Sequence, residues 1–321
     1  MPQQHSLMRT TSMTTLCFIT SILLFTISNN GFANSAEATS SNNIVVTIKP
    51  LYSLVAHLTE GIDQPTLLLK NKQNPHQYNV RPSERRLLSK ADIIIWLGPE
   101  LEPQLSKIIQ QPDNDTIVIS AIQAKNLKLL NKRSRHSHDK HQTESMKHKD
   151  INTLDPHIWL SAHNAAQISK HISERLIVHD PKNTRRYQSN LRLLLNKIEQ
   201  TGNTIKTIIN DNDQPFIAMH DAFQYFEKEY GLNYIDSISN DLETGTSLKH
   251  MQQIKDQIDK RHIQCLVYQP PKPSIIDKLT KQTAIKATEL DPLGHHVKVD
   301  MNAWFEIMQD MSTRFNTCLN P

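Results

Sequence analysis

"PKNTRRYQSNLRLLLNKIEQTGNTIKTIIND", Pro181 to Asp211, is the stretch around which the rest of the chain arranges itself. Its apolar positions Leu191, Leu194, Leu195, Ile198, Ile205 and Ile208 keep helical spacing along most of its length, the mark of an α-helix with one covered face. Pro181 stands where a first helical turn tolerates proline. The pattern predicts one long helix over 181–212. On either side the chain alternates short β-branched runs with helical patterns. Upstream these are "NIVVTI", "LYSLVAHL", "PTLLLK", "RPSERRLLSKA" with Ser83 as a candidate cap, "DIIIWLG", "ELEPQLSKIIQQ", "TIVIS" and "AHNAAQISKHISERLIV". Downstream they are "FIAMH", "AFQYFEKEYG", "YIDSIS", "SLKHMQQIKDQIDKR", "IQCLVYQ", "SIIDKLTKQT", "AIKATEL" and "NAWFEIMQDMSTRFNTCL". Strand–helix alternation argues parallel sheets covered on both faces. The expected fold class is therefore α/β, with two βα lobes joined by one long helix.

With 321 residues the chain has room for two domains of ordinary size. Its net charge of +4 comes from interleaved acids and bases, with no aromatic-studded basic stripe, so no nucleic acid is expected. Seven glycines and no GxGxxG or GxxxxGK argue against the common nucleotide folds. At the N-terminus, Arg9 precedes the apolar core "LCFITSILLFTI", and Ala33 and Ser35 are placed for a signal-peptidase cut. That reads as a secretory leader over 1–35, the alternative being an uncleaved anchor. The expected organisation is then an N-terminal lobe over 36–180 with a His-rich loop at 132–149, the linking helix 181–212, and a C-terminal lobe over 213–321. Cys17 falls inside the leader, leaving Cys265 and Cys318. An even pair in an exported chain suggests one disulfide, with two separate buried thiols as the alternative.

Two sets stand out among the sixteen histidines. His136, His138, His141 and His148 crowd the polar tract "HSHDKHQTESMKHKD". Such a tract is a compositional hint of metal handling, and ordering it would cost too much entropy for it to be a tight site. Three more stand at element boundaries: His76 in "NPHQYNV", His157 in "DPHIWL", and His220 at the end of "FIAMH". Strand C-termini frame the ligand crevice of open α/β sheets, so three such histidines can converge on one ion. Asp291 in "LDPLG" is a fourth candidate. Three neutral imidazoles make a nitrogen-rich set that suits Zn²⁺.

In order and spacing, "NPHQYNVRPSERRLLSKADIIIWLGPELEPQL", "DPHIWL", "HDAFQYFEKEYGL", "CLVYQP" and "LDPLG" resemble the zinc type (the ZnuA type) of the metal-specific solute-binding proteins of bacterial ABC importers. The resemblance spans essentially the whole mature chain. It implies two lobes joined by a rigid helix, metal clamped in the cleft, and His76, His157 and His220 as the zinc ligands. Asp291 matches the acidic position that completes the site in manganese-type relatives, which carry glutamate where this chain has His220. The resemblance also implies a Cys265–Cys318 disulfide, a monomer in the periplasm, and an ABC permease subunit with its cytoplasmic ATPase as partners. Pro75 stands where some zinc-type members have a ligating glutamate, so Asp291 or water is left as fourth ligand. The competing reading is a secreted zinc-dependent hydrolase. It needs a general base, and without HExxH only Glu102 and Asp221 can be nominated. An adhesin on the same scaffold is a third.

Overall fold

The computed structural model describes residues 42–70, 78–109, 115–133, 154–239 and 246–320. The expected leader, His76 and the His-rich tract lie outside the described residues. The first run of elements is β1 (Ile44–Val46), α1 (Lys49–Leu58), β2 (Thr66–Leu67), α2 (Pro82–Leu88), β3 (Ile93–Trp96), α3 (Pro103–Ile109) and β4 (Ile117–Ser120). Their parallel strands stand in the order β2-β1-β3-β4, with Ile44 opposite Ile93 and Ile94 opposite Val118. Two helices follow, α4 (Ala162–His179) and α5 (Thr184–Ile209). The second run is β5 (Pro215–His220), α6 (Gln224–Tyr230), β6 (Asn233–Ser239), α7 (Leu248–Arg261), β7 (Cys265–Tyr268), α8 (Ser274–Gln282), β8 (Lys286–Glu289) and α9 (Ala303–Leu319). Its strands are again parallel, in the order β6-β5-β7-β8. The two sheets thus repeat one topology. In each, successive crossovers leave the first strand in opposite directions, which opens a crevice beyond the C-terminal end of that strand.

The long helix forms as its spacing predicts, after a short 3₁₀ turn at Pro181–Asn183. Its covered stripe is not wholly the apolar one, however. The buried positions are Tyr187, Asn190, Leu194, Ile198, Thr201, Gly202, Ile205 and Ile209, while Leu195 and Ile208 are half-buried. Asn190 is drawn inward because its Nδ2 donates to the Leu58 and Glu60 carbonyls (2.9 and 3.0 Å), closing the C-terminal end of α1. Gly202 is needed for closeness: a Cβ there would come within 3.3 Å of the Ala162 Cβ on α4. At α2 the N-cap is Arg81, whose backbone N–H donates to Glu84 (2.7 Å); Ser83, the expected cap, lies inside the helix.

Burial follows the strand period. In β5, Phe216 and Ala218 join one apolar cluster, and Ile217 and Met219 a second on the opposite face of the sheet. The first cluster also contains the first sheet's strands, α1, α4, α5 and α9, so one continuous core runs through both sheets. Helix α9 packs against α1 and α5. The connection from β8 into α9 is sewn to α1: Lys49 Nζ donates to the carbonyls of Val297 (2.7 Å) and Gly294, and Ser53 Oγ to that of Met301 (2.6 Å). Cys265 and Cys318 form the disulfide, joining the start of β7 to the end of α9.

Candidate metal centre

His220 is the last residue of β5, at the crevice end of the second sheet, with Ser239 opposite it on β6. His157 was expected at a strand end and is not at one. It precedes a 3₁₀ turn, Ile158–Leu160, and the nearest pairing is an isolated antiparallel bridge between Asn131 and Leu154. Pro156 explains this, since it has no N–H to give a ladder. The apolar run behind His157 is instead used to bury Ile158, Trp159 and Leu160. Both imidazoles are buried, and their ring centroids lie 6.0 Å apart at 61°.

Asp155 sets the orientation of His157. Its Oδ1 accepts from the His157 backbone N–H (3.0 Å) and from Nδ1 (2.8 Å). A carboxylate on Nδ1 places the proton there and the lone pair on Nε2, the arrangement that protein metal sites use to aim a ligating histidine. The other oxygen of Asp155 accepts from Gln224 Nε2 (3.1 Å), and its carbonyl accepts from Tyr225 Oη (3.0 Å). Trp159 stacks obliquely on His157 at 5.3 Å between centroids, and its Nε1 donates to Pro292 O (2.9 Å). That bond brings the "LDPLG" turn against the His157 segment. Asp155 and Gln224 were missed by sequence reasoning. The Asp-Pro-His spacing was a visible signal for the first, and nothing local marked the second.

Asp291 is placed differently from the two histidines. Its Oδ1 accepts from His295 Nδ1 (2.8 Å) and Leu293 N (3.3 Å), and its Oδ2 from His295 N. Burial works against its charge, but the His295 hydrogen bonds outweigh that and hold its carboxyl below the usual carboxylate range. The turn also requires glycine, because Gly294 has φ +65° and a Cβ would strike Ile307 at 2.5 Å. Among the described residues no group of three His, Cys, Asp or Glu side chains stands at metal-holding spacing. The structure therefore gathers His157 and His220 and does not add Asp291 to them.

The carboxylates a hydrolase would need are otherwise engaged. Asp221 is paired with Arg133 (2.7 Å). Glu102 is buried at the end of the first sheet, accepting from Leu97 N (2.9 Å). Burial pushes its carboxyl up to about 7, opposed by Thr47 and the N–H groups of Leu97 and Gly98. Because the folded value is raised, the unfolded chain loses this proton first as pH rises from about 4.5 to about 7. Stability of the metal-free protein then falls through that window, by about 3 kcal/mol for this one group. Glu102→Gln is expected to remove that share of the fall, measured as urea unfolding at pH 5 and pH 8 in the presence of a chelator. Equal slopes for variant and wild type would refute the assignment.

With the geometry in view, the chain can be set against known proteins. The family model "Zinc-uptake complex component A periplasmic" matches residues 44–318. The chain belongs to this family. Curated relatives include the "High-affinity zinc uptake system protein ZnuA" of Yersinia pestis, 28% identical over 87% of this chain and 92% of that one. The protein of the same name from Haemophilus ducreyi is 29% identical over 86% and 93%. Among solved structures, one titled "Crystal structure of ZnuA" superposes with a TM-score of 0.72 at 18% identity, over 87% of this chain and 99% of that one. That likeness is one of fold. Members are substrate-binding components of transport systems, and no helix among the described residues is long and apolar enough to cross a membrane.

Proposed function

We propose that the chain is the periplasmic Zn²⁺-capturing component of an ABC transporter, delivering the ion to a membrane permease driven by a cytoplasmic ATPase. The observation that carries this is the buried His157–His220 pair, with Asp155 directing the Nε2 lone pair of His157. His76, on the stretch after β2, supplies a third imidazole, and Asp291 or water the fourth position. Residues 1–35 are a leader removed on export, the mature chain acts as a monomer, and the tract 136–150 offers weak accessory sites. The protein binds and releases without catalysing a reaction.

The test is a competition titration of chelator-stripped residues 36–321 against a chromophoric zinc chelator, repeated after deletion of Arg135 to Lys149. One tight Zn²⁺ per chain is expected in both proteins, with only the weaker equivalents lost on deletion, and with Mn²⁺ bound far less tightly. Loss of the tight equivalent with the tract, or a preference for Mn²⁺, would overturn the reading.

A further inference from the structure

The short segment Leu130–Arg133 touches both histidine-bearing turns and has no assigned role. On the His157 side, Leu130 O accepts from Asp155 N (2.9 Å), and Leu130 N donates to the Tyr225 hydroxyl, which in turn donates to Asp155 O (3.0 Å each). Gln224 Nε2 bridges Asn131 O (3.0 Å) and the Asp155 carboxylate (3.1 Å). On the His220 side, Arg133 spreads its guanidinium over two acids, Asp221 (2.7 Å) and Glu227. Its Cζ lies 3.8 Å from the centroid of the Tyr234 ring on β6. Asp221 is 10% and Glu227 3% exposed at the side chain, so this is a largely desolvated link. The planar fork of arginine can hold two carboxylates at once and stack on an aromatic face, which no other side chain does.

His220 is also where the β5 ladder ends. The next contacts are a tight turn, Ala222 N to His220 O (3.0 Å), and the anchored carboxylate of Asp221. The backbone that carries His220 is therefore held, beyond the strand, by this turn and by the Arg133–Asp221 link. We propose that Arg133 is a positioning residue for the metal centre, fixing the His220–Asp221 turn to the same segment that braces Asp155 and, through it, His157. Arg133 does not touch the ion. It keeps the two imidazoles in mutual register, so that the site does not have to be ordered when metal arrives. This rests on the proposed zinc site and adds the device that preorganises it.

The experiment compares wild type with Arg133→Gln, Arg133→Lys, Asp221→Asn and the Arg133→Gln/Asp221→Asn double variant. Zinc affinity is read by chelator competition, site symmetry by the visible absorption of the Co²⁺ form, and fold by urea unfolding of the metal-free chain. Arg133→Gln is expected to weaken zinc about tenfold or more, as loss of outer supporting contacts does at metal sites, and to shift the cobalt bands. Lysine should restore part of the loss, since it can serve one carboxylate but not both. The double variant should bind no more weakly than Arg133→Gln alone, because both changes cut one link. Should Arg133→Gln fail to fold, Asp221→Asn alone tests the same link by the same readouts. An affinity within twofold of wild type, a tighter site, or losses that add in the double variant would overturn the inference. His157→Ala and His220→Ala serve as controls. A wild type that binds no tight zinc refutes the site and the inference together, whereas a normal wild type with an unaffected Arg133→Gln refutes only the inference.

Discussion

His157→Ala and His220→Ala each lose the tight zinc equivalent, with affinity expected to fall at least about a hundredfold, beyond the ten- to hundredfold that removing an outer-shell partner costs. The two imidazoles are buried and face each other at 6.0 Å, so water cannot replace either one freely. The loss also has a thermal signature. A ligand at a thousand times its Kd stabilises the folded state by about 4 kcal/mol, so a hundredfold weaker site forfeits about 2.7 kcal/mol of that at the same zinc concentration. Asp155→Asn is expected to fall between, because it keeps the shape while removing the carboxylate that fixes the tautomer. Asp291→Ala should lose less affinity than either histidine variant, since its oxygens already serve its own turn. Calorimetry at fixed pH separates these outcomes. If Asp291→Ala removed the tight site and His220→Ala spared it, the histidine pair would not be the centre.

The second large effect concerns the disulfide and leaves the metal alone. Cys265 and Cys318 are 53 residues apart in sequence. Opening a loop of that length returns about 4 kcal/mol of chain entropy to the unfolded state. For a chain of this size, the Cys265→Ser/Cys318→Ser variant should melt on the order of 10 °C below wild type. Zinc affinity should barely change. Cys265 opens β7 and pairs with Phe216, four residues before His220, which puts the bridge about 13 Å along the strand from the crevice. A differential scan with and without zinc reads both quantities. A fall in affinity as large as that of His157→Ala would mean that the bridge shapes the site.

Strand and helix identities were legible wherever burial was uniform. Ile44–Val46, Ile93–Trp96 and Cys265–Tyr268 are short apolar runs that became parallel strands, and the period of 184–209 became a helix. His220 was legible because a strand end is a local event. The setting of His157 was not: a proline breaks the pattern, and what replaces a strand is an isolated bridge to Asn131. Arg133 escaped notice for a stronger reason. Its partners lie 88 and 94 residues away, and only the finished fold brings such groups together. Asn190 and Thr201 show the same limit in α5, where polar side chains take covered positions because their hydrogen-bonding partners lie on the inward side or within the helix. The long helix was expected to join two lobes. In the fold it is the spine of a core that both sheets share.

The return of α9 onto α1 has a consequence for the order of events during synthesis. Helix α9 covers α1, the last and the first of the described helices, and its approach is tied down by Lys49 and Ser53. Until residues 303–319 have been made, the growing polypeptide cannot bury the face of α1 that α9 will occupy. Contacts between groups 248 residues apart also close slowly, because the loop entropy must be spent before they form. An unfinished chain therefore stays open for longer than one whose neighbouring segments pack as they emerge.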